Sequence, residues 1–182
     1  MDLGRPAVLT MMEAADSALV LAAKEGSTDA LGRLFDRHWP AVWRTAYSVT
    51  GQRELANDAA QDTFLRAAGA LPRFDHRRPL EPWLLRIAVN RAIDLLRAQR
   101  RLVSVAEVEE PAVFDEPFAD ETVRESVARL DPERRAVVAL HYWFDYSTPE
   151  IAEVMGIPVG TVASRLSRAL RDLRLHLEAG NV

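Results

Sequence analysis

Residues 147–170 read STPEIAEVMGIPVGTVASRLSRAL, and the order of polar, apolar and turn residues in this stretch decides the fold. Ser147 followed three residues later by Glu150 is a capping box, Pro149 suits a first helical turn, and Gly156 supplies a stop after Met155. A short helix therefore ends at Gly156-Ile157-Pro158, and a longer one opens near Val159 and runs to about Glu178. In the longer helix Val162, Leu166, Leu170, Leu173 and Leu177 form one apolar stripe, and the arginines fall outside it. Ile151, Ala152 and Val154 of the short helix would pack on Val162 and Leu166, with Ala152 small enough for close approach. That pattern is a helix-turn-helix, whose second helix enters the major groove and here would offer Thr161, Ser164, Arg165 and Arg168. A helical hairpin with an incidental basic face fits the same residues.

Working outward, every strong pattern has helical period, and no run alternates as a strand does. The fold class read here is all-α: two small helical domains joined by an acidic linker. Asp131-Pro132-Glu133 is a capping residue followed by a proline at the first helical position, and Glu121 to Leu130 forms a helix before it. Upstream, Asp16 can cap a helix ending at Gly26, and Ser27 can cap a longer one towards Gly51 that Pro40 kinks or restarts. A third helix spans about 53–70 and closes at Leu71-Pro72. A fourth starts at Pro79, with Leu80, Trp83, Leu84, Ile87, Ile93, Leu95 and Leu96 packing and a second face left to bind. The expected division is a tail at 1–15, a first domain at 16–101, a linker at 102–119, a second domain at 120–178 and a tail at 179–182.

The 182 residues are 48% apolar and 27% charged with a net charge of -4, ordinary for a globular protein. No apolar run approaches the roughly 18 residues of a membrane span, and Met1 to Thr10 lack the features of a secretory signal, so a cytoplasmic protein without membrane insertion is expected. Zero cysteines exclude disulfides, thiolate metal sites and cysteine nucleophiles. Charge is sharply divided. Residues 71–101 carry eight arginines against Asp75, Glu81 and Asp94, whereas 102–122 carry seven acids and no base. Residues 159–175 then add Arg165, Arg168, Arg171 and Arg174 against Asp172. Two basic blocks flanking an acidic link read either as phosphate-binding surfaces or as solvated helix faces. His38, His76, His141 and His176 lack metal-ligand spacing and no nucleotide-binding loop occurs, so no enzyme activity, metal or cofactor is expected.

The segment 149–170 resembles the region 4 helix-turn-helix of extracytoplasmic-function (ECF) sigma factors of bacterial RNA polymerase. Residues 55–67, LANDAAQDTFLRA, resemble region 2.2 of the same family, and 82–97, PWLLRIAVNRAIDLLR, resemble regions 2.3 and 2.4, in family order and spacing. With 128–134, the resemblance covers about 16–178. It implies a factor that binds core RNA polymerase and promoter DNA, directs promoter opening, and is held inactive by an anti-sigma partner. Asp58, Gln61, Asp62, Thr63 and Phe64 are then the polymerase-docking positions, although Phe64 reads equally as a core aromatic. Arg77, Arg78, Arg86, Asn90, Arg91, Arg97 and Arg100 are the minus-10 set, with Asn90 at the position whose amide reads that element. Thr161, Ser164, Arg165, Ser167 and Arg168 are the minus-35 set. Trp83 reads as core rather than as a stacking platform. The chain departs from the pattern at Leu55 and Asn57, at the small Ala59 and Ala60, in the glycine-free loop 75–80, and at Ala163 and Ser167. The rival reading is a stand-alone helix-turn-helix regulator whose N-terminal helices serve dimerisation or sensing. A third is a degenerate sigma-like decoy.

Overall fold

A computed structural model describes residues 7–103 and 121–179. Among them are eight α-helices and no strand: α1 (Ala7–Lys24), α2 (Thr28–Thr50), α3 (Arg53–Ala70), α4 (Leu80–Val103), α5 (Glu121–Ala128), α6 (Pro132–Tyr142), α7 (Thr148–Met155) and α8 (Val159–Ala179). A single 3₁₀ turn, Leu71–Arg73, follows α3. The acidic linker acids, Glu107 to Asp120, lie outside the described residues, as do the terminal residues 1–6 and 180–182.

Local chemistry sets most of these ends. The Ser27 hydroxyl accepts from the Ala30 amide at 3.2 Å and the Asp131 carboxylate from the Arg134 amide at 3.0 Å, so both helices begin on a satisfied cap. The Ser147–Glu150 capping box is formed. Gly156 closes α7 at φ 66°, where the Ile157 amide reaches back to the Ala152 carbonyl at 3.1 Å, a geometry that a side chain would strain.

Asp16 is different. It sits inside α1, not at its start, and residues 7–15, expected as a tail, are helical. The alanines, leucine and methionines there favour helix strongly, while Asp16 turns inward to a tertiary partner that no local rule reveals. Its carboxylate receives hydrogen bonds from Arg37 at 2.5 Å and from the buried ring of His38 at 2.9 Å. Pro40 does not restart α2, which runs through it at the loss of one main-chain hydrogen bond.

Helices α1 to α4 form one unit, in which α3 fits tightly between α2 and α4. Ala56, Ala59, Ala60 and Ala67 of α3 are essentially inaccessible, as are Ala88 and Ala92 of α4, so the small residues serve close helix approach. The fourth helix divides into a packed side and a free one, on which Arg86, Asn90, Asp94 and Arg97 are exposed. Leu84, Leu85, Ala88, Val89 and Ala92 are all buried because α2, α3 and α7 pack against its middle.

Helices α5 to α8 form the second unit. Val162, Leu166, Ala169 and Leu173 are its inward stripe on α8, and Leu170, expected there, is 39% exposed. The spacing of four, three and four residues carries Ala169 inward and rotates Leu170 out. Across the units, α6 packs on α2 and α7 on α4, and one apolar core runs continuously from Val20 to Val162. The seam is fastened by Arg135, whose buried guanidinium donates to the Val49 carbonyl at 2.8 Å in the first unit and to the Ala128 and Leu130 carbonyls in the second.

His38 ties the first unit to the seam as well. Its ring lies between Asp16 and Glu81, and Glu81 also accepts from the Tyr146 hydroxyl at 3.2 Å. Burial disfavours the charged imidazole, but hydrogen bonds and charge from Asp16 and Glu81 outweigh it and raise the pKa to about 9. Below about pH 6.5 the ring is protonated folded or unfolded, and this stabilisation is complete. Stability should then fall by on the order of 3 kcal/mol as pH rises towards 9, because only the folded chain keeps the proton. Urea unfolding across that range should show the slope in the wild type and lose most of it in His38→Gln. Arg135→Leu should cost about 3 kcal/mol by stranding buried carbonyls. For a chain of this size that is about 10 °C in Tm by calorimetry.

Candidate nucleic-acid interface

The helix-turn-helix places its second helix, α8, with one side open. Ser164, Ser167 and Arg168 are exposed and Thr161 is half-exposed, while Val162 on the opposite side is buried against α7. Ser164 donates to the Thr161 carbonyl at 3.0 Å, which orients its hydroxyl along the first turn. Arg165 is the exception in this set. Its guanidinium is turned towards α6 and pairs with Glu133.

On α4, Arg86, Asn90 and Arg97 recur at helical spacing and are exposed, so they occupy one face. Arg91 lies off that face and donates to Asp62 of α3 at 2.5 Å. The structure thus joins a residue expected at DNA to one expected at polymerase. In the loop before α4, Arg77 is held by Asp75 through two side-chain contacts of 3.0 Å and a backbone contact of 3.1 Å. These hydrogen bonds keep the Asp75 carboxyl down at about 2. Arg78 reaches Glu153 of α7 instead. Arg100 lies on α4, and its side chain is outside what the structure describes.

The expected polymerase-docking residues divide. Asp58 and Gln61 are exposed, and Asp62 is partly so. Thr63 is fully buried, its hydroxyl donating to the Ala59 carbonyl at 2.6 Å, and therefore presents nothing to a partner. Phe64 is also buried, 4.5 Å from the Phe35 ring and 5.7 Å from the Trp39 ring. It forms the floor of a groove of about 370 Å³ lined by Phe35, Asp36, Trp39, Gln61 and Leu65. Trp39 and Leu65, 38% and 72% exposed, are the apolar groups that face outward. The sequence reading passed over them, although Phe35 and Trp39 recur at i and i+4 on α2. Trp83 packs on Phe74 with ring centroids 4.7 Å apart, as a core residue.

The family models for sigma-70 region 2 and sigma-70 region 4 match residues 34–102 and 120–173 respectively. The ECF RNA polymerase sigma factor SigL of Mycobacterium tuberculosis is 34% identical over 171 residues, covering 88% of this chain and 96% of that protein. The chain belongs to the ECF sigma factors. SigW of Bacillus subtilis, 30% identical, matches 85% of this ECF factor and 92% of its own length. Among solved structures, CnrH in complex with the cytosolic domain of CnrY is 32% identical with a TM-score of 0.67, covering 91% of this chain and 98% of that one. A stand-alone regulator is not favoured, because the helices it would use for dimerisation or sensing fall within sigma region 2. No described helix of this ECF factor is long and apolar enough to cross a membrane.

The Asp62–Arg91 contact joins two half-buried groups. A double-mutant cycle of Asp62→Asn and Arg91→Gln, read by urea unfolding, should give a coupling of about 0.5–1 kcal/mol. Strictly additive losses would mean that the pair carries no energy.

Proposed function

We propose that this ECF sigma factor recruits core RNA polymerase through the α2–α3 groove, reads the minus-10 element with α4 and its preceding loop, and reads the minus-35 element with α8. Sigma factors act in transcription initiation, and RNA synthesis itself belongs to the polymerase. The observation that carries the assignment of surfaces is the exposed polar side of α8 behind the Gly156 turn, in a chain whose α4 presents Arg86, Asn90 and Arg97 along one face. Amide and guanidinium groups suit base edges and phosphates respectively. Asp36 and Gln61 line the groove beside its apolar anchor of Trp39 and Leu65, and Asp58 is exposed on the same helix as Gln61, a composition suited to a basic partner helix. Thr63 and Phe64 serve this surface as its support.

The relative CnrH was solved with the cytosolic domain of CnrY, which supports an anti-sigma partner for this chain too. Its place of action is then the cytoplasm, where polymerase works. The acidic linker read from 102–119 would discourage the free factor from binding DNA.

The test is in vitro transcription with purified protein and core polymerase on pooled genomic fragments, with RNA 5′ ends mapped. Starts below a shared two-part motif, absent without the protein, are expected. Trp39→Ala should lower polymerase affinity by tenfold or more, as a lost hot-spot aromatic does. Arg168→Ala and Asn90→Ala should each lose about 1–3 kcal/mol of promoter discrimination, in the minus-35 and minus-10 halves respectively. Retained duplex binding with no starts would overturn the assignment.

A further inference from the structure

The five residues between Phe74 and α4, Asp75 to Pro79, contain no glycine and are held in shape by Asp75. Its carboxylate accepts from the Arg77 amide at 3.1 Å and from two nitrogens of the Arg77 guanidinium at 3.0 Å, and its carbonyl accepts from the Arg78 amide at 3.0 Å. An aspartate that bonds the backbone two residues on closes an Asx turn, and Pro79 fixes φ where the chain re-enters helix. The loop therefore moves as one piece, and where it points is decided at its attachments.

Phe74 is the attachment on the upstream side. Its ring is buried 4.7 Å from the ring of Trp83, in the first turn of α4, and its amide donates to the Leu71 carbonyl at 3.0 Å. The Phe74 carbonyl accepts from the Lys24 ammonium at 2.6 Å, a contact between residues 50 apart in sequence. Lys24 is the chain's only lysine and the last residue of α1, where the helix dipole favours a cation. Gly26, at φ 99°, and the Ser27 cap turn the chain at once into α2, so the stem of Lys24 rises from a fixed corner. A hydrogen bond from a charged donor is about twice as strong as a neutral one, and this one is partly shielded from water.

We infer that Lys24 is a positioning residue for base selection at the minus-10 element: through the Phe74 carbonyl it fixes where the loop 75–79 stands relative to the exposed Arg86, Asn90 and Arg97 face of α4. The inference rests on the reading of that loop as part of the minus-10 surface. Base edges are told apart by groups held within about 0.5 Å of the productive geometry, whereas attraction to phosphate tolerates movement. Without the Lys24 donor the loop keeps its arginines and its internal turn but loses a fixed aim. Discrimination between bases therefore falls further than promoter binding as a whole.

Lys24→Met keeps most of the stem and removes the donor, and Lys24→Arg keeps a charged donor. The full-length variants are compared with core polymerase on a promoter library randomised through the minus-10 element. Lys24→Met should lower the preference for the best base at a minus-10 position by about tenfold, with minus-35 preferences unchanged, and Lys24→Arg should keep the wild-type preferences. A merely structural loss would lower the yield from every promoter alike and leave the ratios between bases as they are. The chain has no cysteine, so a spin label on His76→Cys reports the loop alone. In the free protein its spectrum should sharpen with Lys24→Met and not with Lys24→Arg. Unchanged base ratios in Lys24→Met, a shift of equal size in Lys24→Arg, or an unchanged label spectrum would overturn the positioning role. His76→Ala/Arg78→Ala separates that failure from failure of the underlying reading. Ratios that move in this variant but not in Lys24→Met show a loop that reads the element without Lys24 placing it. Ratios that move in neither remove the loop from the reading surface, and the inference falls with it.

Discussion

A guanidinium with almost no access to water sits where the two helical units meet, and the arrangement of the whole chain depends on keeping it satisfied. A buried charge is tolerable only when it is hydrogen-bonded, and the two terminal nitrogens of Arg135 donate to main-chain carbonyls at the ends of two helices from different units. Carbonyls at helix C-termini lack intrahelical partners, so the same contact completes α2 and α5 while joining them. The docking of α6 on α2 and of α7 on α4 follows, and with it the position of the recognition helix relative to the minus-10 face. Sigma regions 2 and 4 share one core here, so separating them would expose apolar surface as well as breaking polar contacts.

What could be read in the sequence is what neighbours in the chain decide. Ser27, Asp131 and the Ser147–Glu150 box act within four residues of themselves, and each helix they open begins where its cap requires. The two helical regions were legible for the same reason, since their motifs are contiguous stretches at helical period. Asp16 carries the same chemistry as Asp131, yet its partners are 21 and 22 residues away, and the tertiary pairing overrides its local preference. On α8, Leu170 and Ala169 are adjacent, and the larger residue attracts a hydrophobic reading that a rotation of one position undoes.

The functional surfaces were legible as residue types but not as a geometry. Nothing in the order of residues places Glu133 beside both Arg97 and Arg165, or brings Asp62 to Arg91, because each contact spans about 30 residues or more of chain. Thr63 and Phe64 belong to a stretch that resembles a docking motif, but helical geometry turns them inward and leaves Asp58, Gln61 and Leu65 outside. A motif marks the helix that docks, and its period decides which members touch the partner.

The link from Arg37 through Asp16, His38 and Glu81 to Tyr146 has a consequence for the beginning of the chain. Asp16 is the only group of α1 described in this link, yet half of the negative charge that keeps His38 protonated comes from it. Displacing α1 would leave a buried imidazole with one carboxylate, and that carboxylate is shared with a hydroxyl of the second unit. The first helix is therefore a counter-ion for the interior, and its docking would be felt through proton occupancy near the seam, more than 100 residues further along the chain.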